Sequence, residues 1–212
     1  RGHWRDRGVA AVGHVPCASR PHRPVIERPD DERPIAGAVL CGGASSRMGR
    51  DKSLVAVGGE AMAARVAGVL RSAGCHPVVA VGGDETGLVA AGLEVVADRY
   101  RGGGPLGGII TALGTFSESA DAVVVTACDM PSLDPVTVLA LCAALGDSDA
   151  AVAVADRLEP LCAVWSVLAL ATLEQLYAGG ERAVHRALRQ LHVVRVDVAL
   201  GAVHNVNRPS DL

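Results

Sequence analysis

The twenty Lys and Arg residues of this 212-residue chain include a single lysine, Lys52. All other positive charge is arginine, whose planar fork does not substitute for a compact, flexible ammonium. Lys52 closes the segment Cys41-Gly42-Gly43-Ala44-Ser45-Ser46-Arg47-Met48-Gly49-Arg50-Asp51-Lys52, which follows an apolar run at 36–40. Its glycines let backbone N–H groups approach a phosphate closely, and Arg47 and Lys52 add charge that would oppose a triphosphate. The segment is not a P-loop, because Asp51 rather than glycine precedes the lysine, and it does not fit G-x-G-x-x-G. On its glycines alone it reads equally well as a surface turn that holds two bases.

Two aspartates follow apolar runs in the same manner. Asp129, in Cys128-Asp129-Met130-Pro131, comes directly after 122–127, and Asp98 comes after Val95-Val96-Ala97. A carboxylate leaving the carboxyl end of a strand points into the ligand crevice of an open α/β sheet. Its hard oxygens suit Mg²⁺, which binds through one or two carboxylates plus substrate phosphates. Asp129 is therefore the expected metal ligand. The competing reading, a cap for a helix opening at Pro135, is better served by Asp134. Downstream of Asp98, Gly102-Gly103-Gly104-Pro105-Leu106-Gly107-Gly108 would expose backbone donors at a helix N-terminus, a natural anion site. Taken alone it is a loop and a helix start, and Asp98 is equally a turn residue. Asn205 and Asn207, near the chain end, could bind ligand groups or serve as turn residues.

The elements that must position these residues are legible as alternating runs. Strands are predicted at 36–40, 77–81, 93–97, 122–127, 150–154 and 193–196, and helices at 61–72, 106–116, 135–145 and 181–191. Pro105 and Pro135 stand at or just before the first turn of their helices, where a missing N–H costs little. This β-α repeat predicts an α/β fold with a single doubly wound, mostly parallel sheet flanked by helices, Rossmann-like, with ligands beyond the strands' carboxyl ends. Residues 1–34 hold five of the eleven prolines and seven arginines without hydrophobic periodicity. They are expected to form a disordered extension ahead of one domain at 35–212, and without an apolar core segment they are not a secretory signal.

Composition narrows the function classes. Half of the residues are hydrophobic but only 2% are aromatic, so the core must be built from Val, Leu, Ile and Ala. A net charge of −3 and the scarcity of stacking rings argue against a nucleic-acid partner. No run of about 18 uncharged apolar residues is present, which argues against a membrane span. Six cysteines, Cys17, Cys41, Cys75, Cys128, Cys142 and Cys162, contain no C-x-x-C pair. They read as buried reduced thiols of a cytoplasmic protein. His185 and His192 lack the spacing of a zinc site, and no G-x-S-x-G elbow occurs.

The pattern L-C-G-G-x-S-x-R-M-G-x-D-K from Leu40 to Lys52 resembles the opening loop of the molybdenum cofactor guanylyltransferases, with Cys41 where that family usually has Ala. Cys128-Asp129-Met130-Pro131 resembles the family's C-D-x-P or D-M-P segment. Glu159-Pro160-Leu161-Cys162-Ala163-Val164-Trp165 resembles its P-L-C-A-V-[YW] strand. Asn205-Val206-Asn207-Arg208-Pro209-Ser210-Asp211-Leu212 resembles its N-V-N-T-P-x-D-L ending, with Arg208 in place of Thr. The resemblance covers 36–212 and implies a Mg²⁺-dependent transfer of GMP from GTP to the terminal phosphate of molybdopterin, releasing pyrophosphate. It implies that Leu40, Cys41, Gly42, Gly43, Lys52, Asp98 and Asp129 hold the nucleotide. Lys52, Arg47 and Asp129 would be catalytic, with Asp129 on the metal and Asn205 and Asn207 on the acceptor. A molybdoenzyme or cofactor-delivery protein is the implied partner. Two other readings stay open: a molybdopterin cytidylyltransferase or sugar-phosphate nucleotidyltransferase, and a non-catalytic nucleotide-binding adaptor.

Overall fold

A computed structural model of the chain describes residues 33–42 and 51–206. These belong to the compact unit Glu32–Leu212. Gly43, Arg47 and Asn207 lie outside the described residues, as does the expected extension 1–34 except for its last two positions.

The first strand, β1 (Ile35–Leu40, IAGAVL), is buried from Ala36 onward. A strand covered on both faces needs no polar alternation, which is why it reads as a continuous apolar run. A hairpin of β2 (Ala56–Val57) and β3 (Glu60–Ala61) follows. It turns through Gly58 and Gly59, at φ 61° and 89°. Two consecutive positive φ values suit the two-residue turns whose twist matches a hairpin, and glycine adopts them without strain. Next come α1 (Met62–Ser72), β4 (Val78–Val81), α2 (Glu85–Ala90), β5 (Glu94–Val96), α3 (Gly104–Phe116) and β6 (Ala122–Ala127). The chain continues through α4 (Pro135–Ala144), β7 (Ala150–Val154), β8 (Leu158–Ser166), α5 (Leu170–Ala178), α6 (Val184–Ala187) and β9 (Val193–Asp197).

Seven strands form one sheet in the order β5-β4-β1-β6-β8-β7-β9. The pairs β5/β4, β4/β1, β1/β6 and β7/β9 are parallel, while β8 runs antiparallel to both β6 and β7. The mostly parallel, doubly wound expectation holds. The single reversal has a local cause: only residues 155–157 join β7 to β8, where Ala155 donates to the Arg157 carbonyl. So short a link permits only a hairpin, whereas a parallel crossover needs a dozen or more residues.

Alternate residues of the central strands feed two core layers. On one face Val39 and Val124 pack with Val66 and Leu70 of α1 and Val138 and Leu141 of α4. On the other, Ala38, Val123 and Val125 pack with Ile109, Ile110 and Leu113 of α3 and Leu173 of α5. Truncating a fully buried side chain such as Leu113 to Ala would cost about 2–5 kcal/mol.

Four features differ from the sequence expectation. Helices α2 and α5 and the β2–β3 hairpin were not anticipated. The helix expected at 181–191 shortens to α6 and a 3-10 turn at Leu188–Gln190. Glu181 accounts for the late start, because its Oε1 accepts the N–H groups of Arg182 and Ala183 at 2.8 and 2.7 Å. The carboxylate satisfies donors at the segment's opening, and helix begins at Val184. Asp134 caps α4 as expected, its Oδ1 accepting from Thr137 N–H at 2.8 Å.

Candidate active site

Strand order reverses at β1: the chain winds outward through β4 and β5, then returns to place β6 on β1's other side. Such a switch point opens a crevice beyond the strands' carboxyl ends. The expected residues converge there. Leu40 ends β1, and its carbonyl accepts the Cys128 N–H at 3.2 Å, which carries the β1/β6 ladder one step past the strands and sets Asp129 at the rim.

Lys52 and Asp129, 77 positions apart, meet across the crevice, Nζ to Oδ2 at 2.7 Å. Their side chains are 15% and 21% exposed, so the pair lies within reach of solvent. Asp51 shapes the turn that presents Lys52. Its Oδ1 accepts from the Ser53 N–H at 3.0 Å and the Ser53 hydroxyl at 2.7 Å. Its Oδ2 accepts from the Asp84 N–H, just after β4, at 2.7 Å. Adjacent residues thus tie the loop's exit to both neighbours of β1.

The loop's entrance is held as closely. Cys41 and Gly42 both donate their N–H to the Val81 carbonyl, at 3.0 and 3.2 Å. Gly82, at φ +69°, lies so near that an added Cβ would sit 3.3 Å from the Gly42 Cα. At Gly83, at φ +86°, a Cβ would stand 2.9 Å from the Cys41 Cβ. Nothing larger than glycine fits this crossing. The Cys41 thiol is buried and directed back to the Val39 carbonyl at 3.5 Å, so it does not face the crevice. Hydrogen bonding with Cys128, and then burial, push that thiol far up, which keeps it neutral.

Asp98 follows β5. Its Oδ1 accepts from the Tyr100 N–H and from the Thr111 hydroxyl, each at 3.0 Å. Its Oδ2 faces the strand ends, 3.9 Å from where a Cβ on Gly42 would stand. Asn205 precedes Val206, whose N–H donates to the Asp129 carbonyl at 2.9 Å, so the chain's last described residues run beside the Asp129 segment. The described members of the expected set are therefore brought together, with Asp98 on the β4 side of β1 and Asp129 on the β6 side. His185 and His192 are exposed and stand apart from this site.

Among the described residues no group of three or more His, Cys, Asp or Glu could by itself enclose a metal ion. A carboxylate at a strand end, partly buried yet open to solvent, fits a cation that takes most of its ligands from water and substrate phosphates. No helix among the described residues is long and apolar enough to cross a membrane. Sequence reasoning missed the roles of Asp51, Thr111 and the Gly82–Gly83 turn. A glycine pair directly after the apolar run 77–81 was the available signal, since glycine at a strand end marks close backbone approach.

Residues 37–194 match the model of the MobA-like NTP transferase domain family. A probable molybdenum cofactor guanylyltransferase of Opitutus terrae is 39% identical, over 84% of this chain and 92% of that relative. A molybdenum cofactor guanylyltransferase of Rhodobacter capsulatus is 33% identical, over 84% and 93%. Among solved structures, molybdopterin-guanine dinucleotide biosynthesis protein A of Archaeoglobus fulgidus is 29% identical, with a TM-score of 0.66 over 84% of this chain and 94% of that one.

Proposed function

Because the chain belongs to the MobA-like NTP transferase family, we propose that it transfers GMP from GTP to the terminal phosphate of molybdopterin. The observation that carries this reading is the Lys52–Asp129 pair, which sets the chain's sole lysine beside a strand-end carboxylate at the sheet's switch point. A lone carboxylate is a Mg²⁺ ligand when phosphates supply the remaining oxygens. A lysine at the same place is a point charge for those phosphates.

The acceptor phosphate attacks the α-phosphorus of GTP in line, and pyrophosphate leaves with the electron pair of the broken P–O bond. No protein nucleophile is required, so rate comes from positioning and charge stabilisation. Asp129 would hold a Mg²⁺ ion, which would supply neutralisation of charge on the phosphates. Lys52 turns from Asp129 to the triphosphate as charge develops, and Arg47 opposes the same charge. Backbone donors from Leu40 to Gly43 approach the nucleotide, Asp98 accepts a hydrogen bond from it, and Asn205 and Asn207 contact the acceptor. The enzyme works in the cytoplasm and passes its product to a molybdoenzyme or a delivery protein.

Pyrophosphate release, measured with molybdopterin and each of the four nucleoside triphosphates, tests the proposal. Release with GTP alone supports it. Release with CTP reassigns the enzyme to cytidylyl transfer, and no release with any nucleotide favours a non-catalytic role.

A further inference from the structure

Thr111 is a polar side chain in an otherwise apolar stretch of α3, and it is 1% exposed. Shielded from bulk solvent, its hydroxyl takes partners within the protein, since an unsatisfied buried donor is expensive. Three surround it: the Arg99 N–H donates to Oγ at 3.2 Å, the Gly107 carbonyl lies at 2.9 Å and Asp98 Oδ1 at 3.0 Å. A hydroxyl has one proton. A helix carbonyl one turn back already accepts a backbone N–H, whereas a carboxylate makes the stronger, charge-assisted bond. The Asp98 carboxylate is therefore the favoured acceptor of the Thr111 hydroxyl.

The second bond to Oδ1, from the Tyr100 N–H, completes an asymmetric arrangement. One carboxylate oxygen is held from two directions, and the other is turned to the strand end at Gly42. Without Thr111 only the Tyr100 N–H would hold the carboxylate, and its plane would swing about the last torsion, whose profile is broad, so that no oxygen would be held towards Gly42.

We propose that Thr111 is a positioning residue for nucleotide binding: its hydroxyl fixes the Asp98 carboxylate so that Oδ2 is presented to a hydrogen-bond-donating group of the nucleotide. The inference rests on the assignment of Asp98 to the nucleotide and is read on binding, not on transfer to the acceptor.

Binding of GTP with Mg²⁺, in the absence of acceptor, is measured by calorimetry on the full chain. Thr111→Val keeps the shape and removes the donor, and weakens binding about tenfold, the scale of one hydrogen bond to a charged group. Thr111→Ser, which retains the hydroxyl, binds within about twofold of the parent. In an Asp98→Asn background Thr111→Val has no additional effect, because the group it positions is already lost. A purely structural threonine would instead lower the melting temperature and act independently of Asp98. Additive effects of the two substitutions, or a Thr111→Val protein that binds like the parent, overturn the proposal. A neutral Asp98→Asn overturns it together with the Asp98 assignment, while a parent that binds no GTP removes the transferase reading as well.

Discussion

Replacing Lys52 with Met deletes the ammonium and keeps an unbranched stem. Among the described residues, the interaction lost in the resting protein is the 2.7 Å contact with Asp129, between side chains 15% and 21% exposed. The Asp129 carboxylate left behind still reaches solvent, so the stability cost stays near that of a solvent-accessible pair, about 1 kcal/mol. For a domain of this size that lowers the melting temperature by about 2–4 °C. The catalytic cost is much larger. A preorganised donor facing developing charge is worth about 10²–10³ in kcat, or about 3–4 kcal/mol of transition-state stabilisation. Lys52→Arg should not rescue it, despite preserving charge, because the fork cannot occupy the place of a compact point charge. Pyrophosphate release and a thermal melt on the same samples separate the two effects. Turnover within about threefold of the parent would remove Lys52 from the chemistry. A fall in melting temperature beyond about 10 °C would mean that the pair is structural and that the partition of energies is wrong.

Asp129→Asn keeps the shape of the side chain and loses its charge, so turnover should fall about 10²-fold and cease to respond to Mg²⁺; parental activity in limiting Mg²⁺ would contradict the ligand role. Gly83→Ala must hold φ +86° with a Cβ 2.9 Å from both the Cys41 Cβ and the Leu88 Cδ1. Left-handed strain and overpacking together should cost about 2–4 kcal/mol, visible as a lower urea midpoint, and an unchanged midpoint would show that the crossing relaxes freely. Glu181 is pulled from 4.5 to about 2, first by its hydrogen bond from Arg186 and then by the Ala183 N–H. A depressed carboxylate stabilises above its unfolded value, and that contribution is lost as pH falls through the folded one. The difference in melting temperature between the parent and Glu181→Gln should therefore shrink across that acid window, and a constant difference would contradict the cap. Cys142 is half-buried, and a hydrogen bond from Cys75 lowers its pKa, whereas the Cys41, Cys75 and Cys162 thiols are buried and pushed up. Among these four, mass spectrometry after brief alkylation should find Cys142 modified first.

Periodicity located the strands that build the crevice because parallel strands buried on both faces are written as unbroken apolar runs, as in Ala122–Ala127. It did not reveal the direction of β8, which follows from the length of the link before it rather than from the strand's own residues. Nor did it reveal α5, nine residues whose buried contribution is centred on Leu173. In the site, single residues were legible where their type was unusual, as with the chain's one lysine, or where they followed a strand, as with Asp98 and Asp129. Their partnerships were not. The contact between Lys52 and Asp129 exists only because β6 returns beside β1 after 77 intervening positions. The role of Thr111 depends on α3 crossing behind Asp98, which no local pattern encodes.

Gly42 answers a packing demand in addition to the phosphate approach proposed for the opening loop. Gly42 meets Gly82 where β1 and β4 end, and the turn that receives it continues through Asp84 to the Asp51 carboxylate. One turn after β4 therefore holds both the entrance of the loop, at Cys41 and Gly42, and its exit, at Asp51. A loop whose ends share an anchor has already met most of its closure entropy before ligand arrives. The division of labour between neighbouring residues follows. Asp51 uses both carboxylate oxygens on groups within the protein, Ser53 and Asp84, and keeps the backbone of the turn in place. Lys52 faces the opposite side of β1 with a single long side chain. Under the proposed function its ammonium would exchange the Asp129 carboxylate for a phosphate oxygen while the turn at Asp51 stays held, so that charge would reach the substrate without that turn being rebuilt.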